Sequence, residues 1–362
     1  MNRNILRKVV PATAALTLAI GLSACAAGNE GDSSGSDGVS GTLNGAGASS
    51  QESAVAAWKK TFQTDNSGAT VNYDPVGSGG GREQFIAGGV QFAGSDTYLD
   101  EDELAAAKKK CGGEIVEVPT YVSPIAVVYN LEGVDDLNLS AKTIGGIFQG
   151  TIKKWNDSAI KADNPDADLP DTDITPVHRS DDSGTTKNFT DYLDQASDGG
   201  WKGGVVETWP TKGGEAAEGT SGVISAVKNG KGTIGYADES QAGDLGKANV
   251  KVGDEFVEVT PEAAAKTLDE AKTVEGRGDT DIAVDVNRTS TTAGVYPIVL
   301  VSYQIACQTY EDEKVAELTK AWLSYVTGTQ GQEDAAKAAG SAPLTDDFAA
   351  KVKTAVDTIK AG

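Results

Sequence analysis

The chain has 362 residues, and its 53 acidic against 31 basic side chains give a formal net charge of −22. This balance argues against a nucleic-acid-binding protein, because contacts with a phosphate backbone need clustered basic side chains, so we expect no nucleic-acid partner. With 39% apolar and 23% charged residues, the composition excludes a disordered chain and a membrane-embedded one. The same negative charge would repel small anions in general.

The first element in chain order is a predicted secretory signal over residues 1–24. A basic head precedes a mostly apolar stretch at 9–22, which is too short to span a bilayer as a helix. The sequence Leu22-Ser23-Ala24-Cys25 resembles the bacterial lipobox, in which cleavage before the cysteine leaves a thiol that carries lipid. We therefore predict export, lipidation of Cys25 with diacylglycerol and palmitate, and a flexible tether over 25–40. The alternative is an ordinary signal with an incidental cysteine.

The remaining cysteines and the single histidine limit the chemistry that is available. With Cys25 assigned to the lipid, Cys111 and Cys307 are most simply paired as one disulfide in an oxidising compartment, and two buried free thiols are the alternative. Because His178 is the only histidine, a multi-histidine metal site is excluded, and we expect no metal ion and no cofactor. His178 is interpreted as a structural residue at a strand end, with a role as a catalytic base as the alternative.

Strand-like and helix-like patterns alternate along the rest of the chain. Short β-branched runs occur at 70–73, 114–118, 125–129, 174–177, 233–236 and 298–305. Helical patterns lie between them, for example at 53–62, 186–196 and 315–326. This alternation predicts an α/β protein.

Three segments share a local plan of strand, glycine- or serine-rich turn and helix start, at 43–50, 73–81 and 177–185. The first turn of a helix has unpaired N–H groups and partial positive charge, and glycines let the backbone approach a ligand closely. Such a turn can bind an oxyanion, although any single one is usually only a helix cap. Three of them in one α/β chain predict convergence on one anion.

Four motifs, three of them in these segments, closely resemble, in order and spacing, the phosphate-binding motifs of the substrate-binding proteins of Pst-type phosphate ABC transporters. The motifs are Gly45-Ala46-Gly47-Ala48-Ser49, Val76-Gly77-Ser78-Gly79-Gly80, Phe92-Ala93-Gly94-Ser95-Asp96 and Arg179-Ser180-Asp181-Asp182-Ser183-Gly184-Thr185. Further matches lie at 147–157, 232–236 and 296–298. The resemblance runs from about residue 41 to the C-terminal region.

The resemblance implies a two-lobed periplasmic-binding-protein fold of type II, in which each lobe is a mixed sheet flanked by helices and the ligand lies between the lobes. Lobe I would comprise 41–122 with 298–362, and lobe II 123–297. The Cys111–Cys307 bridge would lie next to the two crossings between the lobes. Motif matching assigns the phosphate contacts to Ser49, Ser50, Ser78 and Asp96 on lobe I and to Arg179, Ser183, Gly184 and Thr185 on lobe II.

The motifs carry three further expectations. Asp181 would hold Arg179 in place, with a solvated turn carboxylate as the alternative. Asp96, if not merely a turn or capping acid, would accept the proton that phosphate carries and that sulfate lacks. Many family members have Thr-Phe where this chain has Ser49-Ser50, so a bulky apolar cover over the site is lost here.

The resemblance therefore implies a monomeric, lipid-anchored protein on the extracytoplasmic face of the cell membrane. It would capture inorganic phosphate and deliver it to ABC permease subunits with their ATPase. One alternative is a binding protein or sensor for another oxyanion, such as sulfate or molybdate. Another is a surface adhesin of the same fold, and a third is a phosphatase with Ser78 or Ser183 as its nucleophile. The expectation is that the protein is not an enzyme.

Overall fold

The computed structural model describes residues 38–362. The predicted signal, Cys25 and all but the last three residues of the predicted tether lie outside these residues. The described helices are α1 (Glu52–Asp65), α2 (Ser78–Ile86), α3 (Glu101–Cys111), α4 (Ala141–Phe148), α5 (Ser158–Asp163), α6 (Gly184–Ala196), α7 (Gly219–Asn229), α8 (Pro261–Asp269), α9 (Glu313–Thr327), α10 (Thr329–Ala339) and α11 (Asp346–Asp357).

The described strands are β1 (Gly41–Gly47), β2 (Ala69–Asp74), β3 (Phe92–Ser95), β4 (Ile115–Asn130), β5 (Asn138–Leu139), β6 (Thr175–Arg179), β7 (Glu215–Ala217), β8 (Thr233–Asp238), β9 (Gly246–Lys247), β10 (Asn249–Val252), β11 (Glu255–Val257), β12 (Lys272–Thr273), β13 (Val284–Asp285), β14 (Val299–Cys307), β15 (Thr309–Tyr310) and β16 (Lys360–Ala361). The elements confirm the predicted α/β class.

The largest sheet is mixed and has the strand order β2, β1, β3, β14, β4, β8, β6, β7, with β9 also paired to β4. Strand β1 runs parallel to β2 and β3, and β6 runs parallel to β7 and β8, whereas β14 and β4 are antiparallel to their neighbours. We call β2, β1, β3 and β14 the first strand group and β8, β6 and β7 the second strand group. Strand β4 belongs to both.

The strand-like runs at 114–118 and 125–129 belong to one continuous strand, β4, which begins at Ile115. Its residues pair with β14 as far as Pro124 and with β8 from Ile125 onward. Prolines usually interrupt a ladder. Here the register shifts beside Pro119, so that Thr120 is an extra residue relative to β14, and this bulge accommodates the proline within the strand.

The structure pairs Cys111 and Cys307 in a disulfide, as predicted, with their Cα atoms 5.4 Å apart. Cys111 ends α3 and Cys307 ends β14. Helix α3 can turn back at this point because Gly112, its C-terminal cap, adopts a left-handed conformation with φ of 64°. The bridge therefore joins a helix end to the first strand group.

Each strand group has its own buried aromatic cluster. In the first group, the Trp322 ring packs edge-on against Phe62 and Trp58, with ring centroids 5.3 Å and 6.5 Å away. In the second group, the Phe189 ring stacks on Tyr236 at 4.3 Å. All of these side chains except Tyr236, which lies on β8, come from the apolar faces of helices predicted from the sequence, so the helices are held mainly by packing on the sheet.

Candidate functional site

The predicted contact residues converge where the first strand group meets the start of α6. The seven that carry side chains are almost fully buried, with no more than 3% exposed: Ser49, Ser50, Ser78, Asp96, Arg179, Ser183 and Thr185. Buried polar groups need partners, so their hydrogen bonds define what the site can still offer to a ligand.

Asp96 follows directly after β3 and is the centre of the cluster. Its Oδ1 accepts hydrogen bonds from the Ser50 and Ser302 hydroxyls, each at 2.6 Å, and its Oδ2 accepts one from Thr185 Oγ1 at 2.9 Å. Burial raises the pKa of Asp96, and the three hydroxyl donors together with the charge of Arg179 oppose that rise. Because all three donors favour the ionised form, the group is arranged as an acceptor.

Ser78 begins α2, so the glycines at 79–81 lie inside the helix and not in the predicted turn. The preceding residue, Gly77, has a φ of 88°, which favours glycine. Gly81 is needed because a Cβ there would lie 2.4 Å from the backbone of Gly47, where α2 packs on β1. The Ser78 hydroxyl oxygen accepts the Asp96 N–H at 3.0 Å, which leaves the hydroxyl hydrogen free to donate elsewhere.

The start of α6 approaches this cluster from the other side. Ser183 is the N-cap of α6, and its hydroxyl oxygen accepts the Thr186 N–H at 3.1 Å, so the Ser183 hydrogen is also free to donate. Gly184 lies so close that a Cβ there would be 2.6 Å from Ser78 Oγ and 2.7 Å from Asp96 Cβ. Only glycine allows the two segments to meet at this distance.

Arg179, at the end of β6, is paired with Asp181, the residue predicted to hold it. The guanidinium donates to both carboxylate oxygens, through Nε at 2.7 Å and through Nη2. Burial would raise the pKa of Asp181, but the hydrogen bond and charge of Arg179 outweigh it and hold this pKa below its usual value. The Gly219 N–H also donates to Asp181 at 3.1 Å. This bidentate pair fixes the plane of the guanidinium.

Ser49 faces a residue that the sequence reasoning missed, Thr220 in the first turn of α7. The two hydroxyl oxygens lie 3.0 Å apart, and the Thr220 N–H donates to Ser49 Oγ at 3.0 Å. The Gly219-Thr220-Ser221 sequence before an apolar helical face repeats the plan of the other three turns and could have signalled this contact. Ser302 was also missed, although a serine within the apolar run of β14 is a recognisable signal.

Glu207 joins the two sides a second time, at a position that the sequence did not single out. Its carboxylate accepts from Arg82 Nη2 at 2.6 Å and Thr97 Oγ1 at 2.9 Å, and Lys187 Nζ lies 3.3 Å away. Arg82, on α2, also donates to the hydroxyls of Ser95 and Thr97, the residues on either side of Asp96, whereas Glu207 follows α6 in the chain. We call this cluster the Glu207 bridge.

His178 has the environment of a structural residue. Its ring stacks on Trp209 with centroids 4.9 Å apart, and its Nδ1 lies 3.0 Å from the Arg179 carbonyl oxygen. Within residues 38–362 it makes no hydrogen bond to a serine hydroxyl. The site thus has no serine–histidine pair within the described residues, and it offers hydroxyl donors, one arginine and one carboxylate acceptor to a small anion.

Comparisons with known proteins agree on one family. The family model described as a PBP superfamily domain matches residues 32–330. The chain is 38% identical over 324 residues to phosphate-binding protein PstS 3 of Mycobacterium tuberculosis, covering 88% of this chain and 86% of that protein. It is 37% identical over 354 residues to phosphate-binding protein PstS 2 of the same species, covering 93% and 95%.

Solved structures show the same fold at lower identity. A periplasmic phosphate-binding protein, PfluDING, bound with phosphate, aligns with a TM-score of 0.71 at 23% identity, covering 87% of this chain and 93% of that one. A putative phosphate ABC transporter substrate-binding protein from Clostridium perfringens, with bound phosphate, aligns with a TM-score of 0.62 at 19% identity, covering 84% and 100%. The chain therefore has the two-lobed α/β fold of periplasmic binding proteins and belongs to the PstS family of phosphate-binding proteins.

Proposed function

We propose that this protein captures inorganic phosphate between its two lobes and delivers it to an ABC permease, powered by its ATPase, for import. The family membership supports this function, and one observation carries its chemistry. A buried carboxylate, that of Asp96, lies among hydroxyl donors at a junction that also contains Arg179. A carboxylate beside an anion is favourable only if the anion brings a proton, and phosphate does so near neutral pH.

The proposed contacts recognise phosphate through one charge and several hydrogen bonds. Arg179 would supply the one strong positive charge through its forked guanidinium. Ser78 and Ser183 would donate their hydroxyl hydrogens, since backbone N–H groups already occupy their oxygens. The N–H groups of the first turn of α6 would add the partial positive charge of a helix start. These fixed dipoles act where little water enters, so the net charge of −22 does not prevent anion binding.

Lobe boundaries, anchoring and oligomeric state belong to the same proposal. Lobe I would comprise 41–122 with 298–362, and lobe II 123–297, which is supported by the change of β4 partner after Pro124. Lipid on Cys25 would hold the protein at the extracytoplasmic face of the membrane as a monomer. Within residues 38–362, no helix has both the length and the apolar character needed to cross a bilayer.

A binding role fits the site better than catalysis. The relatives are named as binding proteins. Ser78 and Ser183 receive backbone N–H groups and have no hydrogen-bonded histidine among the described residues. A nucleophilic serine needs an adjacent base to take its proton. Turnover of a phosphoester by the purified chain would contradict this part of the proposal.

Calorimetric titration of the full chain with inorganic phosphate tests the proposal. The wild-type chain should bind one phosphate, and Arg179→Ala should weaken binding about a hundredfold or more, because a buried anion would lose its only charged donor. Lys142→Ala is a matched control, since it removes one positive charge from an exposed ion pair with Asp198. Absence of phosphate binding by the wild-type chain, or near-normal affinity of Arg179→Ala, would overturn the proposal.

A further inference from the structure

Two buried residues behind Asp96 form a directed chain of hydrogen bonds. Gln51 Nε2 donates to Ser302 Oγ at 2.6 Å, and Ser302 Oγ donates to Asp96 Oδ1 at 2.6 Å. Gln51 lies in the short 3-10 turn that follows β1, and Ser302 lies at the register shift of β14. Both side chains have no exposed surface. Solvent therefore cannot reorient this chain of hydrogen bonds.

The direction of the chain follows from one neighbouring carbonyl. The Gln51 amide group that faces Ser302 also lies 3.1 Å from the Tyr303 carbonyl oxygen, which can only accept a hydrogen bond. That group must be the NH2 end of Gln51, because the amide oxygen would repel the carbonyl. The Ser302 oxygen thus receives a hydrogen from Gln51, and its own hydrogen is directed to Asp96 Oδ1 at 2.6 Å rather than to the more distant Ser95 carbonyl oxygen at 3.3 Å.

A count of acceptor sites on the carboxylate shows what remains for a ligand. Asp96 Oδ1 already accepts hydrogens from Ser302 and Ser50, and one oxygen of a carboxylate accepts about two. Asp96 Oδ2 accepts one hydrogen, from Thr185. The unoccupied acceptor site is therefore on Oδ2, beside the start of α6.

We propose that Gln51 and Ser302 are positioning residues that hold Asp96 as a pure acceptor and direct the proton of bound phosphate to Oδ2. This inference rests on the proposed function and adds to it the source of the discrimination between phosphate and fully deprotonated oxyanions. This chain of hydrogen bonds, which we call the relay, runs from Gln51 through Ser302 to Asp96. The selectivity of the site therefore depends on two residues that do not touch the ligand.

Loss of the Ser302 hydroxyl would make protonation of Asp96 easier, since one of the donors that favour the ionised form disappears. A protonated Asp96 can donate a hydrogen bond, so it no longer repels sulfate. The other charged or titratable groups close to Asp96 are Arg179 on β6, Asp238 at the end of β8 and Tyr73 on β2. None of them is changed by substitution at Ser302, which isolates the effect of the relay.

The test uses sulfate as a probe, because sulfate neither gains nor loses a proton between about pH 5 and pH 8, whereas phosphate does. Phosphate and sulfate are titrated calorimetrically into the full-length wild type, Ser302→Ala and Ser302→Thr across this range. We expect Ser302→Ala to lower the phosphate-to-sulfate affinity ratio about tenfold, the size expected for one hydrogen bond to a charged group. Sulfate binding by this variant should also begin at a higher pH, and Ser302→Thr should restore the wild-type profile.

Two further variants keep the outcome interpretable. Ser197→Ala is the control, because Ser197 is equally buried but lies at the far end of α6, where its hydroxyl accepts the Trp201 N–H. Gln51→Met removes the donor to Ser302 without changing β14, and it should shift the pH profile of sulfate binding in the same direction. It replaces Ser302→Ala as the test variant if Ser302→Ala does not fold. An unchanged ratio and pH profile in folded Ser302→Ala or Gln51→Met, with normal phosphate binding by the wild type, would overturn this inference alone. Absence of phosphate binding by the wild type would instead overturn the proposed function.

Discussion

The Thr185 hydroxyl lies 2.9 Å from Asp96 Oδ2, and this hydrogen bond joins two residues that are 89 positions apart in the chain. It connects the first turn of α6 with the end of β3, so under the proposed lobe boundaries the carboxylate of lobe I is shared by a donor from lobe II. Both side chains are buried. The proposed ligand site is thus formed by two chain segments that approach each other across the cleft, and substitutions that separate them should weaken ligand binding.

Gly184→Ala tests whether this close approach is required. The new Cβ would lie 2.6 Å from Ser78 Oγ and 2.7 Å from Asp96 Cβ, so the two segments would have to move apart. Overpacking of this kind costs about 1–3 kcal/mol, which corresponds to a loss of phosphate affinity of about five- to a hundredfold in titration calorimetry. Gly222→Ala is the matched control, because its Cβ would have no neighbour closer than 3.6 Å. Equal affinities of the two variants would show that the segments need not touch.

Glu207→Gln should weaken the contact between Arg82 on α2 and the segment that follows α6. Burial would raise the pKa of Glu207, but the charges of Arg82 and Lys187 outweigh it and hold this pKa below its usual value, so the bridge is charged at neutral pH. Loss of the charge should speed phosphate dissociation about tenfold, measured by stopped-flow fluorescence, because hydrogen bonds to charged groups are worth about 1.5–3 kcal/mol. Exposed Glu132→Gln serves as the control. If the Glu207→Gln variant released phosphate at the wild-type rate, the Glu207 bridge would have no role in retaining the ligand.

Asp238 should make stability depend on pH. This buried carboxylate accepts hydrogen bonds from the Tyr121 hydroxyl and from the backbone N–H and hydroxyl of Ser240. Burial raises its pKa from 3.8 to about 7. The folded chain therefore binds this proton more tightly than the unfolded chain, so the stabilising contribution is complete below about pH 4 and is lost as the pH rises to about 7.

Denaturant unfolding of wild type and Asp238→Asn across this pH range measures that contribution. The free energy of unfolding of the variant, relative to wild type, should rise between about pH 4 and pH 7 and stay level above it. A difference that is independent of pH would show that Asp238 keeps an ordinary pKa in the folded chain.

The sequence was sufficient to predict the features that depend on local motifs and cysteine count. The helix starts at and after Ser78 and Ser183 could be predicted from the sequence alone, since glycine and hydroxyl residues before an apolar helical face are typical of a helix start. Cys111 and Cys307 could be paired because one cysteine was already assigned to lipid. Their disulfide is confirmed, as are the helices predicted at 53–62, 186–196 and 315–326.

The sequence was insufficient where a contact depends on strand register or on packing between distant segments. Ser302 reaches Asp96 because β14 pairs with β3 in the register that places Tyr303 opposite Ser95, and a one-residue shift would turn the Ser302 side chain to the opposite face. The Ser50 hydroxyl is directed to Asp96, a contact within the protein that the motif match did not predict. The roles of the eight predicted contact residues toward phosphate remain predictions, because hydrogen bonds within the protein do not identify the ligand.

The most direct test of the central claim, that Asp96 selects an oxyanion that carries a proton, is a pair of calorimetric titrations with phosphate and sulfate. Both are performed on the full-length wild type and on Asp96→Asn at neutral pH. Asparagine keeps the size of the side chain but is neutral and offers an NH2 donor, so it can no longer disfavour a fully deprotonated anion. We expect the wild type to prefer phosphate strongly and Asp96→Asn to bind the two anions with more nearly equal affinity. An unchanged affinity ratio in a folded Asp96→Asn variant would contradict the claim.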